Sequence, residues 1–155
     1  MEALTPSLED YLEAIWVAGL KKRVVRVKDI VKRLSVRSAS VIGALKALGE
    51  RGLVVHERYG YVELTEEGSL EAESIYEKHT ALAKFLNEIL GMDLETALKD
   101  ACRIEHHIDR RTMDRIAEFI HFIETCPEGE PVCLSGFRHF LKHGKRPSLS
   151  EKAEA

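Results

Sequence analysis

Cys102, Glu105 and His106 stand at i, i+3 and i+4 within the run DACRIEHHID. On a helix that spacing brings a thiolate, a carboxylate and an imidazole to one face of one turn. Together they form a mixed soft and hard donor set suited to Fe(II), Mn(II), Co(II) or Zn(II). The bland alternative for the triplet alone is a small buried thiol beside two solvated side chains. Asp10 and Glu13, at i and i+3 opposite Leu8, Leu12 and Ile15, read by themselves as a solvated face, and His79 by itself as a surface histidine. Cys126, Cys133, His139 and His143 follow a C-x6-C-x5-H-x3-H spacing, that of a second, zinc-type site without the usual tight cysteine pair. Their alternative is incidental thiols in a turn-rich segment, with Phe137, Phe140 and Leu141 packing nearby.

The elements that must position these groups follow from apolar periodicity. Leu8, Leu12, Ile15, Trp16 and Leu20 give an amphipathic helix starting near Ser7, after Pro6. A basic connector, Lys21 to Arg26, leads to a short helix over Val27 to Leu34. The turn Ser35-Val36-Arg37 follows, and Ser38 is the expected N-cap of a third helix with Val41, Leu45 and Leu48 inward and Arg51-Gly52 at its exit. Leu53-Val54-Val55 and Tyr61 to Leu64 then read as a two-stranded wing. Helix, helix-turn-helix and hairpin in that order predict a winged helix.

Beyond it, Thr65 is placed to cap a long fourth helix that Gly91 ends, followed by helices over about Leu94 to Ile108 and Arg111 to Glu124 and one more from Leu134 to His143. The fifth helix has its apolar stripe on Ala97, Ala101, Ile104 and Ile108, roughly 130° from the Cys102 face. The fold class is thus mainly α, a winged helix-turn-helix domain over residues 1–64 and an all-α domain over 65–143, with a disordered tail expected at 144–155.

Charge divides the same way. Residues 1–64 carry 11 basic and 8 acidic side chains, and residues 65–155 carry 12 and 18, within a chain of 155 residues and net charge -3. A basic front and acidic back exclude a generic polybasic binder and suggest two tasks. With 45 % apolar residues the chain has a core to bury, but no run approaches the roughly 20 residues of a membrane span. The start MEALTPSLEDYLEA places acids where a signal peptide has lysines, so a cytoplasmic protein without a membrane partner is expected. Three cysteines do not make a disulfide scaffold.

The segments SLEDYLEAIW, VKDIVKRLSVRSASVIGALKALGERGLV, VELTEEG, KHTALAKFL and DACRIEHHID, in this order from about Ser7 to about Glu124, resemble the DtxR/MntR family of metal-dependent transcriptional repressors in its two-domain form. The resemblance implies a homodimer on double-stranded operator DNA, with no enzymatic activity and no small-molecule substrate. It also implies regulatory metal held by Asp10, Glu13, His79, Cys102, Glu105 and His106, one or two divalent ions per subunit. The manganese branch matches at Asp10, Glu13 and His79 but has Glu at the position of Cys102. The iron branch matches at His79, Cys102, Glu105 and His106 but has Met at the position of Asp10, and its ancillary Glu and His fall on Ala83 and Leu98. The chain is a hybrid. Ligand softness places Fe(II) narrowly ahead of Mn(II), with Co(II), Ni(II) and Zn(II) as surrogates.

On the third helix the outward residues Ser38, Ala39, Ser40 and Gly43 are short, which suits close approach to a groove but gives few bidentate base contacts. Lys28, Lys32, Arg37, Lys46 and Arg51 are candidates for phosphate contacts, and Arg58 for contact from the wing tip; each is equally readable as a solvated charge. Two other functions compete. A hydrolytic centre on Glu105, His106 and His107 lacks a phosphate-binding loop or nucleophile elbow, and a winged-helix regulator answering to a non-metal effector predicts DNA binding indifferent to chelator.

Overall fold

The computed structural model describes residues 4–57, 60–127 and 131–147. Helix α1 covers Pro6–Lys21 and begins one step earlier than the apolar pattern suggests. Thr5 is the N-cap, its hydroxyl accepting the Leu8 N–H at 3.4 Å, and Pro6 fills the first helical position, where its missing N–H costs nothing. Helix α2, Val27–Leu34, starts with the Asp29 carboxylate accepting the Arg26 N–H at 3.0 Å. The Lys22 ammonium bound to that carboxylate holds the Asp29 pKa below the usual range. Ser35, at φ 55°, turns the chain in the left-handed region.

Helix α3, Ser38–Glu50, corrects one expectation: Ser38 is the first helical residue, and Arg37 occupies the cap position without a side-chain bond. A second correction concerns the basic connector, which contributes a strand. β1, Val25–Arg26, pairs antiparallel with β3, Tyr61–Leu64, which pairs on its other side with β2, Val54–His56. Two residues are too short for an alternation signal, yet Val25 is buried while Arg26 is exposed and lies 5.3 Å from the Tyr61 ring centroid. Leu12, Ile15, Ile30, Val41, Leu45 and Leu48 are almost wholly buried in the core of this winged helix.

Helix α4 runs over Glu66–Lys84, and its first half belongs to the same core through Ala72 and Ile75. Thr65 ties its start to the exit of α3. The Thr65 hydroxyl donates to the Gly52 carbonyl at 2.7 Å and accepts the Gly68 N–H at 3.0 Å, while the Thr65 N–H donates to the Leu53 carbonyl at 3.0 Å. Thr65→Ala is therefore expected to lower unfolding stability by about 1–2 kcal/mol, measurable by urea denaturation.

Contacts divide the chain into two compact units between Lys78 and His79, inside α4. In the second unit a π-helical turn, Phe85–Ile89, follows α4, with the Leu90 N–H reaching the Phe85 carbonyl at 3.0 Å. Gly91, at φ 73°, then reverses the chain. Helix α5, Leu94–Ile104, is capped by Asp93, whose carboxylate accepts the Thr96 N–H at 2.9 Å. That bond lowers the Asp93 pKa, so the cap holds at neutral pH and is lost as pH falls through the depressed value. Helix α6 covers Arg110–Glu124 and α7 covers Val132–His143. Leu82, Ala83, Leu86, Ala97, Ala101 and Met113 form one core cluster, and Ile89, Ile120 and Leu134 a second. Of the expected disordered tail, residues 148–155 lie outside the described residues, as does Arg58. No helix among the described residues is long and apolar enough to cross a membrane.

Candidate metal centre and nucleic-acid interface

The fifth helix stops at Ile104, four residues short of the expected end, so Cys102 lies in its last turn and Glu105 at its C-cap. Glu105 nevertheless keeps right-handed helical backbone angles, and its N–H reaches the Ala101 carbonyl at 3.0 Å. The i, i+3, i+4 grouping thus survives the end of the helix. One ligand atom each of Cys102, Glu105 and His106 lie within 4.8 Å of one another. Donors about 2.0–2.3 Å from a shared ion lie up to about 4.6 Å apart, within that limit. The free carbonyls at a helix C-terminus also favour a cation nearby.

Burial disagrees with the bland alternative, in which Glu105 and His106 are solvated. The Glu105 side chain is 1 % exposed and that of His106 6 %. His79, which by itself reads as a surface histidine, has a side chain only 16 % exposed, with Nδ1 2.8 Å from Glu105 Oε2. The other carboxylate oxygen, Oε1, is buried without a hydrogen-bond partner among the described residues, its near neighbour being His106 Nε2 at 3.5 Å. Leaving a buried acceptor unsatisfied costs about 1–3 kcal/mol, and more when it is charged. A carboxylate oxygen without a hydrogen bond among the described residues, beside a thiol and an imidazole, fits a divalent cation better than it fits a closed polar core.

In the winged-helix unit Asp10 is half-buried and Glu13 is buried, 8 % exposed, so the solvated-face reading of that pair is also corrected. Ala83, buried, and Leu98, 42 % exposed, offer no donor at the positions of the iron branch's ancillary ligands. The tail quartet is not brought together: Cys126, Cys133, His139 and His143 form no group of three or more donors among the described residues, although the His139 and His143 rings lie 4.4 Å apart. A separate cavity of about 290 Å³ in the helical unit is floored by Ile89, Ile120, Ile123 and Leu134 and contains none of the six expected donors.

On the winged helix, Lys28, Lys32, Arg37, Ser38, Ala39, Ser40, Gly43 and Lys46 are all exposed, and Arg51 is half-buried. Lys46 also lies 3.8 Å from Glu50 along α3. Ile42, 52 % exposed on the same helix, was not among the expected interface residues. Sequence periodicity had the signal, since Ile42 falls between the inward positions Val41 and Leu45 and off their stripe.

A winged helix joined to a helical unit bearing a Cys/Glu/His donor set around the buried Glu105 has the make-up of a metal-responsive DNA-binding protein. Comparison places it more closely. Residues 3–62 match the N-terminal DNA-binding domain of the iron-dependent repressors, and residues 65–134 match their metal-binding and dimerisation domain. The chain belongs to the iron-dependent repressor family of transcriptional regulators.

It is 35 % identical to the HTH-type transcriptional regulator MntR of Lysinibacillus sphaericus (strain C3-41), over 80 % of this chain and 88 % of that protein. It is 34 % identical to an uncharacterised HTH-type transcriptional regulator of Methanocaldococcus jannaschii, over 76 % of this chain and 94 % of the other. Among solved structures, T. acidophilum IdeR superposes with a TM-score of 0.67 and 27 % identity, covering 84 % of this chain and 60 % of that one. A manganese-dependent transcriptional repressor in complex with manganese does so with a TM-score of 0.68 and 30 % identity, covering 77 % and 55 %. The chain therefore spans a little over half the length of these solved relatives.

Proposed function

We propose that this protein is a non-enzymatic, metal-dependent transcriptional repressor that binds operator DNA as a homodimer, takes Fe(II) or Mn(II), and controls genes of metal homeostasis. The observation that carries the reading is Glu105, buried, with one oxygen on His79 and the other without a hydrogen bond beside His106. Cys102, Glu105, His106 and His79 are the helical unit's donors, and Asp10 and Glu13 on α1 are the proposed donors from the winged helix. A divalent ion bound by these side chains would supply coordination bonds to them.

The residues themselves account for a switch. Without a cation, Asp10, Glu13 and Glu105 are three carboxylates whose mutual repulsion disfavours their meeting. With that repulsion neutralised, the two recognition helices of a dimer are held at the spacing of successive major grooves, about 34 Å. The exposed apolar side chains Phe119, Phe122, Phe137, Phe140 and Leu141 of the helical unit supply surface for the dimer.

The Cys102 thiolate selects against Mn(II), while the carboxylates keep oxygen character in the set. A direct test uses Co(II) as a spectroscopic stand-in. Titrated into the chelator-treated protein, Co(II) is expected to give a thiolate charge-transfer band that Cys102→Ser loses while binding persists. Absence of that band in the parent protein removes Cys102 from the ligand set. Cys102→Glu is further expected to shift the preference of the DNA-binding response toward Mn(II) by about tenfold. Half-points for Mn(II) and anaerobic Fe(II) that move together would show that the thiolate is not the selector.

A further inference from the structure

Among the described residues, helix α3 leaves one large aliphatic residue about half exposed: Ile42, at 52 %. A lone exposed aliphatic residue is ordinary on a protein surface. Its setting singles this one out. At 100° per residue, Ser38, Ala39, Ile42, Gly43 and Lys46 share one arc of α3, opposite the buried Val41, Ala44, Leu45 and Leu48. Between the two cations of this surface on α3's flanks, Arg37 and Lys46, only Ile42 projects an apolar group of any reach.

Gly43 adds an independent observation. It lies inside the helix, its φ is not positive, and a methyl group built on it would meet nothing within 4 Å. Glycine weakens a helix interior relative to alanine. No packing demand among the described residues accounts for it, so the space beside Ile42 is open toward whatever α3 docks against.

In the winged helix of a DNA-binding domain that object is the major groove, flanked by phosphates that suit the exposed Lys28, Lys32, Arg37 and Lys46. Of the groups that base edges present there, the thymine 5-methyl is the one an aliphatic side chain can recognise. We propose that Ile42 is a specificity-determining residue that packs against thymine methyl groups of the operator, with Gly43 letting the base edges approach the backbone. Ile42 has no donor or acceptor, so it distinguishes thymine from uracil and from unmethylated cytosine by the methyl group alone. This rests on the DNA-binding reading of the first unit.

The test starts from the full chain under anaerobic Fe(II), used to enrich duplexes from a random library. The enriched duplex is then resynthesised with uracil replacing thymine at one position at a time. One or two positions per half-site are expected to lose about fourfold in affinity, the worth of one buried methyl group. Ile42→Ser, a change at an exposed site, should abolish the uracil penalty at those positions, and Ile42→Val should keep it. Gly43→Ala should raise the melting temperature while weakening binding to the same duplex. An enriched duplex bound equally well with uracil at every position, or an unchanged uracil penalty in Ile42→Ser, overturns the proposal. Failure to enrich any duplex overturns the DNA-binding reading beneath it.

Discussion

Glu105→Gln is expected to abolish the metal response while leaving the fold intact. In the parent protein an ion present at about 100 times its dissociation constant, binding one state only, supplies about 2.7 kcal/mol, a hundredfold shift in a balanced equilibrium. The glutamine is nearly isosteric with Glu105 and can still bond to His79, but it carries no charge and coordinates a divalent cation poorly. It also places a neutral amide where a buried carboxylate oxygen has no hydrogen-bond partner among the described residues. The metal-free variant should therefore melt no lower than the metal-free parent, because the cost of burying a carboxylate has been removed while the bond to His79 is kept. Anisotropy with labelled operator, with and without metal, measures the response, and thermal unfolding measures the fold. A variant that still responds a hundredfold would remove Glu105 from the account.

The second large effect lies in the winged-helix unit, at a residue with no chemistry. A Cβ added at Gly68 would sit 1.8 Å from the Leu53 carbonyl oxygen and 2.8 Å from its carbon. Both are backbone atoms, and Leu53 is further fixed by the Thr65 N–H bond to the same carbonyl. No rotamer change relieves such a contact, so α4 and the strand entry must separate. Gly68→Ala is expected to lower stability by about 3 kcal/mol or more, beyond the usual range for overpacking by one methyl. Urea denaturation read at Trp16, the chain's single tryptophan, would measure it. A loss below about 1 kcal/mol would mean that α4 starts farther from Leu53 than the fold has it.

These two positions mark what was legible in the sequence and what was not. The helix order, the β2–β3 wing and the helical second unit follow from period and turn chemistry, because long apolar stripes and capping residues report local geometry. β1 escaped since two residues carry no alternation. The π-helical turn at Phe85–Ile89 escaped because one altered hydrogen bond does not disturb a helical stripe. Gly68 lies in a run, VELTEEG, that reads as helix start, and its need for glycine arises from Leu53, distant in the chain.

For the candidate metal centre, spacing alone grouped Cys102, Glu105 and His106, since three residues of one turn need no tertiary information. The burial of Glu105 and its bond to His79 depend on how α4 and α5 pack, which spacing does not encode. Periodicity placed Asp10 and Glu13 on a solvated face, and only the resemblance to the repressor family implied a role for them. Glu13 is in fact buried.

The most direct test of metal-gated DNA binding titrates chelator-treated protein anaerobically with Fe(II), and separately with Mn(II), while anisotropy follows binding to its promoter DNA. Metal-gated repression predicts a rise in affinity of about tenfold or more that chelator reverses, with the lower half-point for Fe(II). Equal affinity in chelator and in either metal would leave the winged helix standing and contradict the regulatory role of Asp10, Glu13, His79, Cys102, Glu105 and His106.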